Sequence, residues 1–404
     1  MYRCNFYFLA LILLIISSCS DDNMPSPAPA TEVRDLTSGE SKIVGSANNF
    51  TFDLMEQIEE AYPDDNYFIS SFSISTALSM VMNGASEESQ QGFIETLGLG
   101  GTSPEEINEA YKSLANYIYA LDPTVTLNIA NSNWYSEDFT ISSNFDSTLS
   151  AFYDAELFEK DFDDAETLTG LNRWVEEETN GKIKNILNEI SPDDVMFLIN
   201  AIYFKAIWTN QFDPNTTASL PFVLNQGQAV DVPTMVAEVK HWWSYDNELK
   251  SQFIEIPYGN ESYAFTIIMP DDPEDVDGLV SRLDVDRLKD VLVDSITLTR
   301  ELYLPKFQLD FKADLVDLLV EMGMPLRGLD NLFEEELPLA ISKVIHQSFL
   351  EVNEEGSEAA AATVVGIELT SAPAATLINQ PFIFLIRERN SGTILFSGKL
   401  LDPR

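Results

Sequence analysis

Residues 351–375 read EVNEEGSEAAAATVVGIELTSAPAA, and the fold turns on what this stretch is. Taken at period two from Ser357, one face is Ser357, Ala359, Ala361, Thr363, Val365 and Ile367. That face is uncharged and grows from small to β-branched, as the buried face of a strand does. The opposite face is Glu358, Ala360, Ala362, Val364, Gly366 and Glu368, with acids at both ends. No proline interrupts the run before Pro373, so it could sit as a central strand. An Ala/Glu-rich helical linker is the competing reading, and these residues alone leave both open.

Outward from this segment, residues 194–208 (DVMFLINAIYFKAIW) form an almost unbroken apolar run rich in β-branched and aromatic residues. Such a run predicts a strand buried on both faces. Residues 222–269 predict several strands, 275–292 a helical stretch, and 340–352, 382–387 and 393–399 strands again. The early chain is helical by pattern: an amphipathic helix that begins at Asn49 and ends before Pro63, a tightly packed one over 71–82, then 87–97, 104–121 and 165–187. Residues 127–135 alternate like a strand. Helices come early and strands dominate late, with no internal repeat, which gives an α+β class with large mixed or antiparallel sheets.

Composition removes whole classes of function. The chain carries 66 Asp plus Glu against 23 Lys plus Arg, net −43. That charge repels nucleic acid and anionic lipid surfaces and steers basic proteins toward the molecule. The only cysteines are Cys4 and Cys19, so the body has no disulfide, thiol nucleophile or cysteine metal site. With His241 and His346 the only histidines, a histidine-rich zinc site is excluded too, and neither a metal nor a cofactor is expected. Residues 271–278 imitate a calcium loop, but aligning Gly278 to the turn glycine puts Pro273 first and Asp284 last. No Gly-x-Ser-x-Gly elbow or phosphate-cradling loop is present, and both histidines fall in strand patterns, so no enzyme is expected.

The start has a basic tip at Arg3, an apolar run from Phe6 to Ile16 and then Ser17-Ser18-Cys19. This is a secretory signal, too short to span a membrane stably. Ile16-Ser17-Ser18-Cys19 resembles a bacterial lipobox, which implies cleavage after residue 18, lipidation of Cys19, and attachment to the outer membrane or surface of a diderm bacterium. Residues 19–45 are rich in Pro, Ser and acid and are expected to be a flexible tether, leaving 46–404 as the folded domain.

Glu354 to Thr363 closely resembles the inhibitory hinge of serpins, and four further motifs in family order support the likeness. These are Asn200 to Trp208, Phe253-Ile254-Glu255-Ile256-Pro257-Tyr258, Leu304-Pro305-Lys306-Phe307 and Pro381-Phe382-Ile383-Phe384. The resemblance implies three β-sheets, about nine helices and an exposed reactive-centre loop at about residues 354–377. It further implies a monomeric suicide inhibitor of serine endopeptidases. The target forms an acyl-enzyme, and the loop enters the sheet as a new strand between those near 195–208 and 341–353. The inward face of Ser357, Ala359 and Ala361 is small and uncharged, as insertion demands. From Gly356 to Thr370 an extended strand spans roughly 50 Å.

Counting forward from Gly356 and back from Pro381 places the bait bond at Thr370–Ser371, with Leu369–Thr370 the runner-up for a shorter loop. Thr370 excludes trypsin-like targets and suits elastase-like or subtilisin-like enzymes, while Leu369 admits papain-like cysteine peptidases. The hinge is Glu354, Glu355, Gly356, Ser357, Glu358, Ala359, Ala360, Ala361, Ala362 and Thr363. By the same resemblance Ser73, Asn200 and His346 form the shutter and Trp208 lies in the breach. The family usually has proline after the first shutter-region serine, where this chain has Ser70-Ser71. The alternative function is a non-inhibitory binding module, whose relatives carry bulky, charged or proline residues at the hinge.

Overall fold

A computed structural model describes residues 32–191, 193–335, 338–357 and 375–404, with the backbone alone at 128, 129, 200 and 201. Cys19 and the signal segment, Glu358 to Thr363, Leu369, Thr370 and Ser371 lie outside the described residues.

Two hydrogen-bonded strand networks organise the chain. The first is a six-stranded sheet in the order Phe307–Asp314, Ile345–Val352, Gly356–Ser357, Met196–Ile207, Thr126–Ser136, Glu156–Lys160. The second has nine strands. Its shared member is the 18-residue strand Ala229–Asp246, which pairs with Ile296–Pro305 through residues 234–243. On its other edge its last residues, Trp242 to Asp246, pair with Ser251–Tyr258, so that Trp242 and Trp243 are paired on both sides. At this strand the network divides into two sheets, which with the six-stranded one make three. Nine α-helices accompany them among the described residues.

Apolar continuity decides where the core lies. Tyr263–Pro270, Phe382–Glu388 and Ile394–Leu400 are buried at every position, because neighbouring strands and helices cover both of their faces. Helix Ser71–Met82 runs between the two networks, touching Met196–Ile207 on one side and Ile394–Leu400 on the other. It is nearly all buried, and three of its hydroxyls are satisfied within the helix: Ser75 and Thr76 donate to the Phe72 carbonyl at 2.9 and 2.8 Å and Ser79 to that of Ser75 at 2.8 Å. Small side chains here allow sheet and helix to approach closely.

The outer face of the six-stranded sheet is covered by helix Ala165–Glu178. Leu171 and Val175 are fully buried there against Trp134, Phe197 and Ile199. This helix stops nine residues short of the expected 187, because Asn180 and Gly181 turn the backbone left-handed (φ 50° and 79°).

The tether expectation is corrected at its end. Residues 38–45 are helical, the first helix being Ser38–Ala61. Thr37 and Glu40 form a capping box, Arg34 pairs with the buried Glu40 at 2.6 Å, and Ile43, Val44 and Ala47 face the core. The polar composition of 38–45 hid a helix whose apolar stripe is narrow. Likewise the expected strand 340–352 begins only at Ile345, and the expected helix 275–292 is two, Val276–Val280 and Val285–Val293.

Candidate functional site: the slot in the six-stranded sheet

Strand order places the first residues of the expected hinge. Among the described residues no ladder joins Met196–Ile207 directly to Ile345–Val352; the two-residue strand Gly356–Ser357 lies between them. It runs antiparallel to both, with Ser357 opposite Val352 and Ala206, and Gly356 opposite Ile207. The turn that delivers it is held by Asn353. The Asn353 amide donates to the Gly356 carbonyl at 2.9 Å, and its Oδ1 accepts from the Glu355 and Gly356 amides at 3.1 and 3.3 Å. Below this rung no ladder joins the facing edges of the two long strands among the described residues.

Gly356 is required by proximity. A Cβ there would sit 2.0 Å from the Ala206 carbonyl oxygen and 2.6 Å from Ile207 Cα, both backbone. Trp208, 1% exposed, fixes the same corner: its indole donates to the Asn353 carbonyl at 2.8 Å and its backbone amide to that of Glu355 at 2.8 Å. Its ring stacks on Tyr258 at 4.4 Å, and the Tyr258 hydroxyl bonds Ser357 Oγ at 2.8 Å. Glu354 is tied by Lys306 Nζ at 2.7 Å and by the Thr217 hydroxyl at 2.6 Å. Burial pushes the Glu354 carboxyl up, but the Lys306 and Thr217 hydrogen bonds more than offset it and hold it below the usual range.

At the end of the slot away from this rung, His346 alternates inward with Ser348, Leu350 and Val352. Its Nε2 accepts from the Ser70 amide at 3.3 Å, which requires the neutral ring. Burial lowers its pKa to about 4, so it is neutral at physiological pH. Ser70 in turn caps helix Ser71–Met82, accepting from the Ser73 amide at 3.3 Å and donating to the Leu395 carbonyl at 2.8 Å. The histidine therefore meets the helix through the backbone of Ser70; the buried Ser73 hydroxyl has no hydrogen-bond partner among the described residues. Asn200 is opposite Asn131 in the neighbouring strand, and its side chain lies outside the description. Ser71, where proline was expected, is the first residue of the helix, a position that accepts either residue.

At the foot of the slot, a cavity of about 580 Å³ opens between helix and sheet. Leu78, Val81, Leu198, Phe333, Leu339 and His346 are among its lining residues.

A family model described as serpin (serine protease inhibitor) matches residues 45–403. The chain belongs to the serpin family. It is 33% identical to human Serpin B11, with 88% of this chain and 97% of that protein covered. It is also 33% identical to the leukocyte elastase inhibitor of Sus scrofa, over 88% and 97%. Among solved structures, human thyroxine-binding globulin complexed with thyroxine superposes with a TM-score of 0.82 at 28% identity, covering 91% of this chain and all of that one. The fold is thus that of serpins. Within this serpin, Glu354, Glu355, Gly356, Ser357 and Trp208 converge on one corner of the slot, with His346 and Ser73 lower down.

Four partners escaped the sequence reading: Tyr258, Thr217, Lys306 and Asn353. Tyr258 and Lys306 stand inside motifs quoted for the resemblance, so their roles were within reach. Thr217 sits in a polar stretch with no periodic signal.

Proposed function

We propose that this serpin inhibits serine endopeptidases by suicide loop insertion, with Thr370–Ser371 as the bait bond. The single observation that supports this most directly is the Gly356–Ser357 rung, hydrogen-bonded on both sides at the mouth of the slot. It is the first step of a strand whose next inward positions, Ala359 and Ala361, are small and uncharged. In the reaction the target's nucleophile forms an ester with the Thr370 carbonyl while the Ser371 amine leaves. The freed segment then enters the slot, carrying the acylated peptidase with it. Elastase-like or subtilisin-like enzymes fit Thr370, and papain-like cysteine peptidases fit Leu369. The likeness to a leukocyte elastase inhibitor supports the first class. The protein acts as a monomer, anchored through lipidated Cys19 at the outer membrane or cell surface.

The test mixes the chain from residue 20 onward with an elastase-type peptidase and follows denaturing gels and mass spectrometry. A boiling-resistant complex with a released peptide starting at Ser371 is the expected result; a start at Thr370 moves the cut by one residue. Cleavage without complex by that peptidase, other small-pocket enzymes and papain-like ones alike would replace the inhibitor with a binding module. That second reading has its own support in the superposition on a thyroxine-binding globulin. For the anchor, a Cys19→Ala chain should lose metabolic labelling by fatty acid and leave the membrane fraction.

A further inference from the structure

The far end of the loop is held by a buried histidine that the insertion mechanism does not use. Thr376–Leu377 pairs in parallel with Leu302 and Tyr303, and the Ile378 amide donates to the Tyr303 carbonyl at 2.9 Å. The Thr376 hydroxyl is gripped from two sides: Arg300 Nε donates to Oγ1 at 2.7 Å, and His241 Nε2 lies 2.9 Å from the same oxygen. His241 is fully buried, and its Nδ1 is 3.1 Å from the Val239 carbonyl. A carbonyl only accepts, so Nδ1 carries the proton and the neutral ring presents a lone pair at Nε2. The chain of donors is then complete: Arg300 to Thr376, Thr376 to His241, His241 to Val239.

We propose that His241 and Arg300 are positioning residues that latch the far root of the reactive loop through Thr376, and that protonation of His241 opens this latch. This rests on the reading of residues 354–377 as the reactive loop. A proton on Nε2 turns an acceptor into a donor. Thr376 loses the group its hydroxyl donates to, and an imidazolium and a guanidinium are left pointing at one oxygen. The groups facing His241 are Arg300 from Ile296–Pro305, the Thr376 hydroxyl from the loop strand, and the Val239 carbonyl from its own strand. Arg300 is the charged group acting on it among the described residues. Among the described residues no carboxylate acts on the ring to compensate an added positive charge. Burial and Arg300 both oppose that charge, so the latched state favours the neutral ring, and a released strand frees the ring to take its proton. An acidic surrounding would therefore slacken the loop without any cut.

The experiment is hydrogen–deuterium exchange of the uncleaved full chain, following peptides over 375–379 from about pH 7.5 to about pH 5, each normalised to its intrinsic exchange rate. In the wild type, protection should fall roughly fivefold toward acid, the effect of one lost hydrogen bond. His241→Gln, which cannot titrate, should show the same protection at every pH. Thr376→Val should be weakly protected throughout, and Thr376→Ser should restore the wild-type profile. Wild-type protection that does not change with pH would overturn the proposal, as would an unchanged acid response in His241→Gln. Covalent complex formation by the wild type is scored separately at neutral pH. Its absence removes the inhibitor reading, whereas a flat exchange profile beside a normal complex removes only the latch.

Discussion

At Gly356 one methyl group separates two outcomes. The Cβ of an alanine would lie inside the contact distance of the neighbouring strand's backbone, which cannot swing aside as a side chain could. Gly356→Ala should therefore unseat the first rung of the slot, and insertion would start from a displaced root. The expected readout is a shift from covalent complex toward cleaved serpin on denaturing gels, with the rate of loop cleavage kept. An unchanged ratio would mean that insertion does not begin from this rung. His346 makes a second residue-scale case, one of pH. Its folded pKa of about 4 lies below the ordinary histidine value, so the folded state prefers the neutral ring. Its contribution is complete above about pH 6.5 and is lost as pH falls from there toward 4. The loss should reach roughly 2 kcal/mol by about pH 5, seen as a lower unfolding midpoint. His346→Gln should remove that part of the acid sensitivity.

At the scale of elements, Lys306 ties three of them together. It stands just ahead of strand Phe307–Asp314, and Glu354, which it pairs with, is also held by Thr217 before strand Ala218–Val223. Lys306→Met leaves the nearly buried Glu354 carboxylate with the Thr217 hydroxyl and no cation. The expected cost is about 2 kcal/mol, read from thermal or denaturant unfolding; a change within about 0.5 kcal/mol would show that the pair is solvent-screened. Element scale is also where the sequence was most and least legible. Helix 71–82 and the strands expected at 382–387 and 393–399 fall within one residue of the observed ones, since their surroundings bury nearly every face. The stop at Asn180-Gly181 and the helix over 38–45 were missed, since the first depends on backbone handedness and the second on a cap and a buried ion pair. In the slot, Gly356 and Trp208 were legible as motif members. The His241–Thr376–Arg300 grip was not, because it joins residues 135 and 76 positions apart through side chains alone.

For the molecule as a whole, the net charge of −43 shapes how a target arrives. Sixty-six acidic side chains set against 23 basic ones create a long-range negative field at low salt, where the screening length is about 30 Å. At about 0.15 M ionic strength it shortens to about 8 Å, less than the width of the encounter. A cationic elastase-like peptidase should therefore be captured faster at low salt, with the association rate falling about tenfold or more between those conditions. An anionic peptidase with the same small primary pocket should show the opposite slope, because the same field repels it. In the proposed mechanism acylation and insertion follow encounter, so the fraction of encounters ending in complex should vary little with salt. Stopped-flow association measured with both peptidases separates the two contributions. Equal salt slopes would mean that the acidic surface serves solubility alone and leaves target choice to the residues around Thr370.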